Sequence, residues 1–336
     1  MSARVVLVLL ALTLALPAIA QVNFGLGSDL SLEIAPEHPA PGNIVQISAH
    51  SSLLDLTGTT LTWYENGKQI GSGAGLATVE ITAGPLGSDT TVRVVAESDG
   101  ELSQAEARIR PVEIDLLWES DSYIPPFFRG RALPSAGTNL RLEAIPYFKK
   151  SDGSSVPVGD ITFTWKRNGY VEQSVSGRGK SEISLSAPAL FGTDTISVEG
   201  RAKDGLEGSA SVRIPSREPV VELYEAHPLF GTLYHRALGR TTNIPETESS
   251  FAAIPYYADA TSPGDASLTY EWRVNGNTIA SDPERPSELT INAAGSAGVA
   301  RIELALSHVT NFFLSASGVW NVLFLRDGAR NPFGTQ

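Results

Sequence analysis

The chain has 336 residues and carries a formal net charge of -12 at pH 7. This acidic balance argues against a nucleic-acid partner, because binding to phosphates needs a basic surface. The sequence contains no cysteine, which excludes disulfides, thiolate zinc sites and a lipoprotein anchor. The stability of the fold must therefore come from packing and hydrogen bonds alone.

The N-terminus has the pattern of a secretory signal peptide. Arg4 precedes an apolar run, and residues 18–20 read Ala-Ile-Ala, the small-residue ending that signal peptidase favours. The apolar stretch from residue 5 to residue 20 is shorter than the roughly 20 residues needed to span a bilayer. We therefore expect a signal peptide over residues 1–20 that is cleaved after Ala20, with an uncleaved anchor as the alternative. No later segment is apolar enough to span a membrane.

A threefold motif defines the organisation of the rest of the chain. Thr-Trp-x-x-Asn-Gly occurs at Trp63 and at Trp165, and a third copy at Trp272 has glutamate in place of threonine. The Asn-Gly pair favours a type I' hairpin turn, in which both turn residues take positive φ. The copies lie roughly 100 residues apart, which is the length of one immunoglobulin-like β-sandwich with a buried tryptophan on its third strand.

Alternating apolar and polar residues predict strands around each motif. In the first module these strands cover residues 30–34, 44–49, 61–65, 68–70, 77–82, 91–96 and 105–109, with a proline crossover at 36–41. The same order recurs in the second module at 161–166, 181–186, 194–202 and 209–214, and in the third at 268–273, 288–292, 300–307 and 318–324. Outside the signal, no stretch of 12 or more residues has helical periodicity, so the pattern predicts an all-β chain.

These patterns predict three tandem immunoglobulin-like β-sandwich domains after an N-terminal signal peptide. The expected boundaries are 1–20 for the signal, then 21–110, 111–215 and 216–330 for the three domains. The charge is uneven among them: acids outnumber bases by 11 to 4 in residues 21–110 and by 13 to 12 in residues 111–215. The first domain should therefore repel anionic surfaces, whereas the second should tolerate them.

The second and third modules share an extension that the first module lacks. It begins near residues 112 and 221 and ends in Ala-Ile-Pro-Tyr at 144–147 and 253–256, which indicates a duplication. We expect a loop between the first and second strands of each module. The candidate interaction residues in these loops are Phe127, Phe128, Arg129, Arg131, Phe230, Tyr234, His235 and Arg236, since aromatic residues and arginine dominate interface hot spots. The alternative is that the aromatics cap the open end of the sandwich and seal the joint to the preceding module.

The Trp-x-x-Asn-Gly hairpin, the proline crossover and the closing valine- and alanine-rich strands resemble the immunoglobulin-like and PKD-like repeats of bacterial surface proteins. The block from Tyr224 to Gly231, with Ala237-Leu238, is similar to poorly characterised exported repeat proteins of bacteria. The chain departs from the PKD pattern, which has Trp-Asp followed by a Gly-Asp-Gly turn. The resemblance implies a spacer, adhesive or assembly role and supplies no catalytic residue. The lack of cysteine agrees with bacterial export, because many eukaryotic immunoglobulin-like domains carry a disulfide.

Sequence motifs for chemistry are mostly missing. Gly-x-Ser-x-Gly does not occur, and residues 179–181 lack the first glycine of a phosphate loop because Ser174 occupies its place. His227 and His235 lie near Glu225, but their spacing matches no zinc motif. Acid pairs such as 115 with 119 or 222 with 225 would serve glycoside hydrolysis only at a separation that the sequence does not fix. We expect no catalytic residue, no cofactor and no metal.

Two functional classes follow from these observations. The first is a noncatalytic secreted or cell-surface interaction or structural protein, exported to the periplasm, the cell surface or the medium, with an unknown protein or polysaccharide as its partner. The alternative is a secreted polysaccharide-binding or hydrolase accessory protein that stacks sugars on exposed tryptophan and tyrosine. The solvent exposure of the tryptophan side chains distinguishes the two classes, because a flat exposed row containing Trp118 or Trp320 would favour sugar binding.

Overall fold

The computed structural model describes residues 30–98, 100–244, 248–294 and 298–324. The expected signal peptide and its cleavage site lie outside these ranges, as does the predicted end of the third domain at 330. The described part of the chain divides into two compact units, one from the ranges 30–112 and 149–154 and the other from the ranges 113–148 and 155–324. The three-domain division at 21–110, 111–215 and 216–330 stays a prediction.

Strands dominate all of the described ranges, as the alternating sequence patterns predicted. The first sandwich consists of β1 (Ser31–Ala35), β2 (Ile44–His50), β3 (Thr60–Glu65), β4 (Lys68–Ala74), β5 (Thr78–Thr82), β6 (Thr90–Ser98) and β7 (Glu101–Ile109). The second consists of β8 (Glu113–Ser120), β9 (Asn139–Tyr147), a 3-10 helix (Val158–Asp160), β10 (Ile161–Arg167), β11 (Tyr170–Val171), β12 (Gly177–Arg178), β13 (Glu182–Ser186), β14 (Thr193–Ala202) and β15 (Glu207–Pro215). The third consists of β16 (Val220–His227), β17 (Gly231–Ala237), β18 (Thr241–Ile244), β19 (Glu248–Tyr256), β20 (Leu268–Val274), β21 (Asn277–Ile279), β22 (Glu288–Asn292), β23 (Gly298–His308) and β24 (Ser315–Phe324).

Each sandwich is made of two sheets. The first has the strand orders β1-β2-β5 and β4-β3-β6-β7, and the second has β13-β9-β8 and β11-β10-β14-β15, with β12 also paired to β10. The third has β17-β16-β19-β22 and β18-β24-β23-β20-β21. The pairing of β18 with β24 is parallel, whereas the strands of the other pairs run antiparallel. This architecture confirms the prediction of an all-β array of immunoglobulin-like sandwiches.

The three motif tryptophans are fully buried between the sheets, which confirms their predicted place in the core. A buried indole N–H needs a hydrogen-bond acceptor, because leaving it unpaired away from water is costly. In every sandwich the acceptor is a main-chain carbonyl two residues before a strand, which is β5, β13 or β22. Trp63, Trp165 and Trp272 donate from Nε1 to the carbonyls of Leu76, Lys180 and Pro286 at 2.8, 2.8 and 3.0 Å, respectively.

The Asn-Gly pairs form the predicted hairpin turns. They also connect each hairpin to the strand beside it in the sheet, which is β6, β14 or β23. The three asparagines have φ values of 48°, 52° and 50°, and the glycines that follow them also have positive φ. The Oδ1 atoms of Asn66, Asn168 and Asn275 accept hydrogen bonds from the amides of Thr91, Thr195 and Arg301 at 2.9, 2.9 and 2.8 Å. Asparagine is thus suited to this position by its tolerance of positive φ and by its side-chain acceptor.

Removal of one motif tryptophan should destabilise its sandwich strongly. We expect Trp165→Ala to lower the free energy of unfolding by roughly 3–5 kcal/mol, because the large cavity is only partly filled by relaxation. The loss is measured by urea unfolding. Trp165→Phe is the matched control and should cost less, since it keeps part of the volume and loses the indole donor. A loss below about 1 kcal/mol for the alanine variant would contradict a core role for Trp165.

Candidate functional site

The connection from β8 to β9, residues 121–138, is a loop in the second sandwich, as the sequence predicted. It contacts the third sandwich through its main chain. The Tyr123 amide donates to the carbonyl of Ala258 at 2.8 Å, and the Tyr257 amide donates to the carbonyl of Tyr123 at 2.7 Å. Ala258 and Tyr257 directly follow strand β19. Two main-chain hydrogen bonds therefore join this loop to the β19–β20 connection.

A second contact lies at the other end of the same loop. The Asn311 side chain, in the connection from β23 to β24, donates from Nδ2 to the carbonyl of Ala136 at 2.6 Å. The neighbouring Gly137 has a φ of 85°, and a Cβ there would lie 3.1 Å from that nitrogen. The Arg217 amide, between β15 and β16, donates to the carbonyl of Pro134 at 2.8 Å. We call residues 121–138 together with these partners the joint.

Two adjacent phenylalanines of the joint have different roles. The Phe128 ring lies edge-on to two tyrosine rings, with centroids 5.7 Å from Tyr256 and 6.2 Å from Tyr257. Edge-to-face pairs of this kind stabilise by about 0.5–1.5 kcal/mol beyond the area they bury. Phe127 instead is 92% exposed and has a φ of 66°. Of the pair, Phe128 is the one that holds the sandwiches together.

A group of four tyrosines, which we call the tyrosine cluster, lies against the joint. Its members are Tyr123, Tyr224, Tyr234 and Tyr256. The hydroxyls of Tyr224 and Tyr256 are 2.6 Å apart, and the rings of Tyr224 and Tyr234 are 5.7 Å apart. Tyr123 packs both against the main core of the third sandwich and against the smaller apolar group on the opposite face of its β16–β19 sheet. A tyrosine of the second sandwich thus contributes to both packing layers of the third.

Burial changes the acidity of this region. Burial raises the pKa of Tyr123 well above its usual range, with a further contribution from its hydrogen bond to Tyr234. Burial likewise raises the pKa of Tyr256, and its contact with the Tyr224 hydroxyl adds to the effect. Tyr270, in the core next to Tyr123, also has a pKa raised chiefly by burial. All three therefore stay neutral hydrogen-bonding groups at physiological pH.

One carboxylate fixes the conformation of the β19–β20 connection, on which residues 121–138 pack. Asp265 accepts the amide and hydroxyl of Thr261 at 2.9 and 2.8 Å and the amide and hydroxyl of Ser267 at 3.0 and 2.7 Å. These four bonds favour the charged form, so they hold the pKa of Asp265 well below its usual range. The loop carrying Tyr257 is therefore fixed by internal hydrogen bonds.

The arginines of the second sandwich lie apart from the contacts of the joint. Arg129 and Arg131 are both exposed. The Arg131 guanidinium lies 4.5 Å above the ring of Trp118, a cation–π contact within the second sandwich. Residues 121–138 pack on the third sandwich, the one that follows them in the chain.

The prediction of a loop in the third sandwich is wrong for residues 231–237, which form strand β17. This segment pairs with β16, with Ala237 opposite Tyr224 and Gly231 opposite His227. The physical reason is that β16 would otherwise be an edge with unpaired backbone groups, and Gly231, with a φ of 69°, permits the tight return. Of the candidate residues in this segment, Phe230 lies at the turn, Tyr234 joins the tyrosine cluster, and His235 and Arg236 are exposed.

The two tryptophans proposed as sugar platforms do not form a flat exposed row. Trp320 is buried, and its ring lies over Gly318, where an added Cβ would be 2.0 Å from the ring. Trp118 is partly buried beneath Arg131. Across the part of the chain that the structure describes, no group of three histidine, aspartate or glutamate side chains could hold a metal ion. Within those same ranges, no helix has the length and apolar character to cross a membrane.

Sequence reasoning missed three residues of the joint. Tyr123 and Asn311 carry no repeated or periodic signal. Tyr257 directly follows the duplicated Ala-Ile-Pro-Tyr block, which indicated a duplication but not a contact. The one available signal was the pair of aromatics at the end of that block in both modules, at 147–148 and 256–257.

No known protein family matches the sequence, and no curated protein matches it. Solved structures similar to the chain include the fibronectin(III)-like modules of Clostridium thermocellum CbhA, at 17% identity and a TM-score of 0.27, covering 55% of this chain and 94% of that one. Another is the central fibronectin-III array of RIM-binding protein, at 12% identity and a TM-score of 0.30, covering 88% and 96%. A third is Bacteroides ovatus SGBP-B in complex with a mixed-linkage heptasaccharide, at 13% identity and a TM-score of 0.22, covering 88% and 70%. Such low scores carry no argument about the function of this chain.

The raised tyrosine pKa values predict a loss of stability at alkaline pH. In the unfolded chain tyrosine ionises near pH 10, whereas Tyr123, Tyr256 and Tyr270 ionise at higher pH in the fold. Their contribution to stability is therefore complete below about pH 10 and is lost as the pH rises towards the folded-state values. Ultraviolet titration should show a late-ionising class of tyrosines, together with a falling free energy of unfolding. Titration of all tyrosines together near pH 10 in the folded protein would contradict this.

Proposed function

We propose that the chain is a noncatalytic structural and interaction protein of the cell surface or extracellular space. Its sandwiches act as a spacer that presents an interaction surface away from the point of attachment. Within this spacer, the connection at residues 121–138 joins the second and third sandwiches into one stiff arm. The observation that carries the proposal is the pair of main-chain hydrogen bonds between Tyr123 and residues 257–258.

The linker between the second and third sandwiches is held by main-chain hydrogen bonds, which supports a stiff arm. Flexible linkers are rich in glycine and serine and leave their main chain solvated. Here the connection between β15 and β16 is only four residues long, and its first two amides are bonded. The Ser216 amide donates to the carbonyl of Gly192 at 2.9 Å, and the Arg217 amide donates to Pro134. Relative motion of neighbouring domains is the usual expectation, and these bonds oppose it.

The placement outside the cell rests on the sequence. The signal-peptide pattern and the resemblance to bacterial exported repeat proteins support it, as does the acidic, cysteine-free composition. The polysaccharide-binding alternative has less support, because Trp118 is covered by Arg131 and Trp320 packs into the core. Sugar binding on a flat aromatic surface would require these rings to be open to solvent.

The two neighbouring phenylalanines give a direct test of the joint. Phe128→Ala removes both edge-on contacts with tyrosine, so we expect the third sandwich to lose roughly 1–3 kcal/mol of stability. Calorimetry should show this as a lower Tm for that sandwich. Phe127→Ala is the matched control and should change stability by less than about 0.5 kcal/mol, because the side chain is exposed. Arg131→Ala should affect only the second sandwich.

The opposite result would support recognition instead. If Phe128→Ala left the Tm unchanged but abolished attachment of the protein to cells or to a surface partner, residues 121–138 would be a binding loop. Equal effects of Phe127→Ala and Phe128→Ala would also contradict the joint, because only one of these rings contacts the third sandwich.

A further inference from the structure

The third sandwich presents an apolar turn at the end of the hairpin formed by β16 and β17. We call residues 228–230 the hairpin tip. Leu229 is 83% exposed and Phe230 is 75% exposed. Two adjacent large apolar side chains at a turn contribute nothing to the core of their own domain. Their exposure is the feature that an interaction surface requires.

The hairpin tip is held in a defined conformation by His227. Its Nδ1 atom accepts the amides of Leu229 and Phe230 at 3.1 and 3.3 Å. The imidazole ring also stacks on the Phe230 ring, with centroids 4.7 Å apart. One face of Phe230 is therefore covered by its own hairpin. The other face is presented to solvent with little conformational entropy left to lose on binding.

The charge of the hairpin indicates which kind of partner surface it can bind. Residues 226–240 contain Arg236, Arg240, His227 and His235 but no aspartate or glutamate. The two arginines and His235 are exposed. An apolar tip flanked by positive side chains is complementary to an apolar surface flanked by negative ones.

The second sandwich has a connection in the same position as the hairpin tip, and its contacts are known. This β8–β9 connection follows the first strand of its sandwich, as the β16–β17 turn does in the third sandwich. In the second sandwich that connection packs on the β19–β20 connection of another sandwich, through Phe128 and Tyr123. The hairpin tip has the same position and the same aromatic character, while its apolar side chains are exposed.

The first sandwich offers a matching receiving loop. Its connection from β2 to β3, residues 51–59, is the counterpart of the β19–β20 connection. It presents Leu53, which is 81% exposed. Asp55 accepts the amide and hydroxyl of Thr57 at 3.0 and 2.6 Å, much as Asp265 accepts those of Ser267. The whole domain is acidic, with 11 acids against 4 bases in residues 21–110.

We propose that the hairpin tip of one copy of the chain binds the 51–59 loop of a second copy. This inference rests on the proposed function, since it names the partner of the spacer. The two surfaces differ, so the contact is heterologous, and each bound copy still offers one unused surface. The chain therefore assembles head to tail into longer arrays.

Sedimentation velocity of the full chain between about 1 and 100 µM tests the proposal. We expect the sedimentation coefficient to rise with concentration, and to rise less at high salt because charge contributes to the contact. The double variant Leu229→Ser with Phe230→Ser should weaken association by about tenfold or more, as loss of a central apolar anchor does. Leu53→Ser should have a similar effect. Tyr170→Ser, an exposed aromatic at the β10–β11 hairpin of the second sandwich, is the matched control and should leave association unchanged.

Mixing the two kinds of variant tests the head-to-tail arrangement. The Leu53→Ser chain keeps its hairpin tip, and the double variant keeps its 51–59 loop, so the mixture should form one-to-one complexes but no longer arrays. A wild-type chain that stays monomeric at 100 µM would overturn the proposal, as would unchanged association of the double variant. Tip-dependent binding to phosphatidylglycerol vesicles without self-association would identify an acidic membrane as the partner instead. Phe128→Ala should self-associate normally, which separates failure of this contact from failure of the joint.

Discussion

The structure depends on one repeated interaction, the burial of an indole whose N–H is satisfied by a main-chain carbonyl. A tryptophan contributes a large apolar surface to the core, but it also brings a donor that cannot be left unpaired. In each sandwich the carbonyl comes from the segment just before β5, β13 or β22, so the hydrogen bond fixes where the chain enters the other sheet. The asparagine of each Asn-Gly turn adds a second link, because its side chain binds an amide of the neighbouring strand β6, β14 or β23. Together these hydrogen bonds hold each sandwich in a chain that has no cysteine.

Because these hydrogen bonds hold the two sheets of each sandwich, the connection between the first and second strands can vary without loss of core packing. In the first sandwich it is a short proline-containing crossover. The second sandwich uses it as the joint, where Tyr123 pairs with the main chain of the third sandwich. In the third it folds back as strand β17 and leaves an apolar turn at its end. The structural differences described here therefore lie in this one connection.

The sequence predicted what local pattern determines. The strands, the buried tryptophans and the Asn-Gly turns follow from alternation, motif spacing and backbone preference, and each of these is visible within a few residues. Strand β17 was not predicted because residues 231–237 have little alternation of their own. They become a strand by pairing with β16, a tertiary effect that overrides local preference.

The joint was only partly foreseen, for a related reason. Phe128 was a candidate because it is aromatic and lies beside arginine, but Tyr123 and Asn311 lie in connections that have no periodic alternation. Their partners are far away in sequence: Asn311 and Ala136 are 175 positions apart. Contacts of this kind depend on how two folded sandwiches meet, which a single sequence does not encode in any local pattern. Arg131 had the same compositional signal as Phe128, yet it covers Trp118 within its own sandwich.

Native-state hydrogen exchange of the Tyr123 and Tyr257 amides tests the central claim most directly. Both lie in connections rather than in strands, and both donate across the joint. If the second and third sandwiches form one stiff arm, these amides should be protected to nearly the same degree as those of strand β19, because they open only when the joint opens. Exchange of both amides at the rate of an unstructured peptide, with β19 still protected, would show that the sandwiches move independently and would contradict the account.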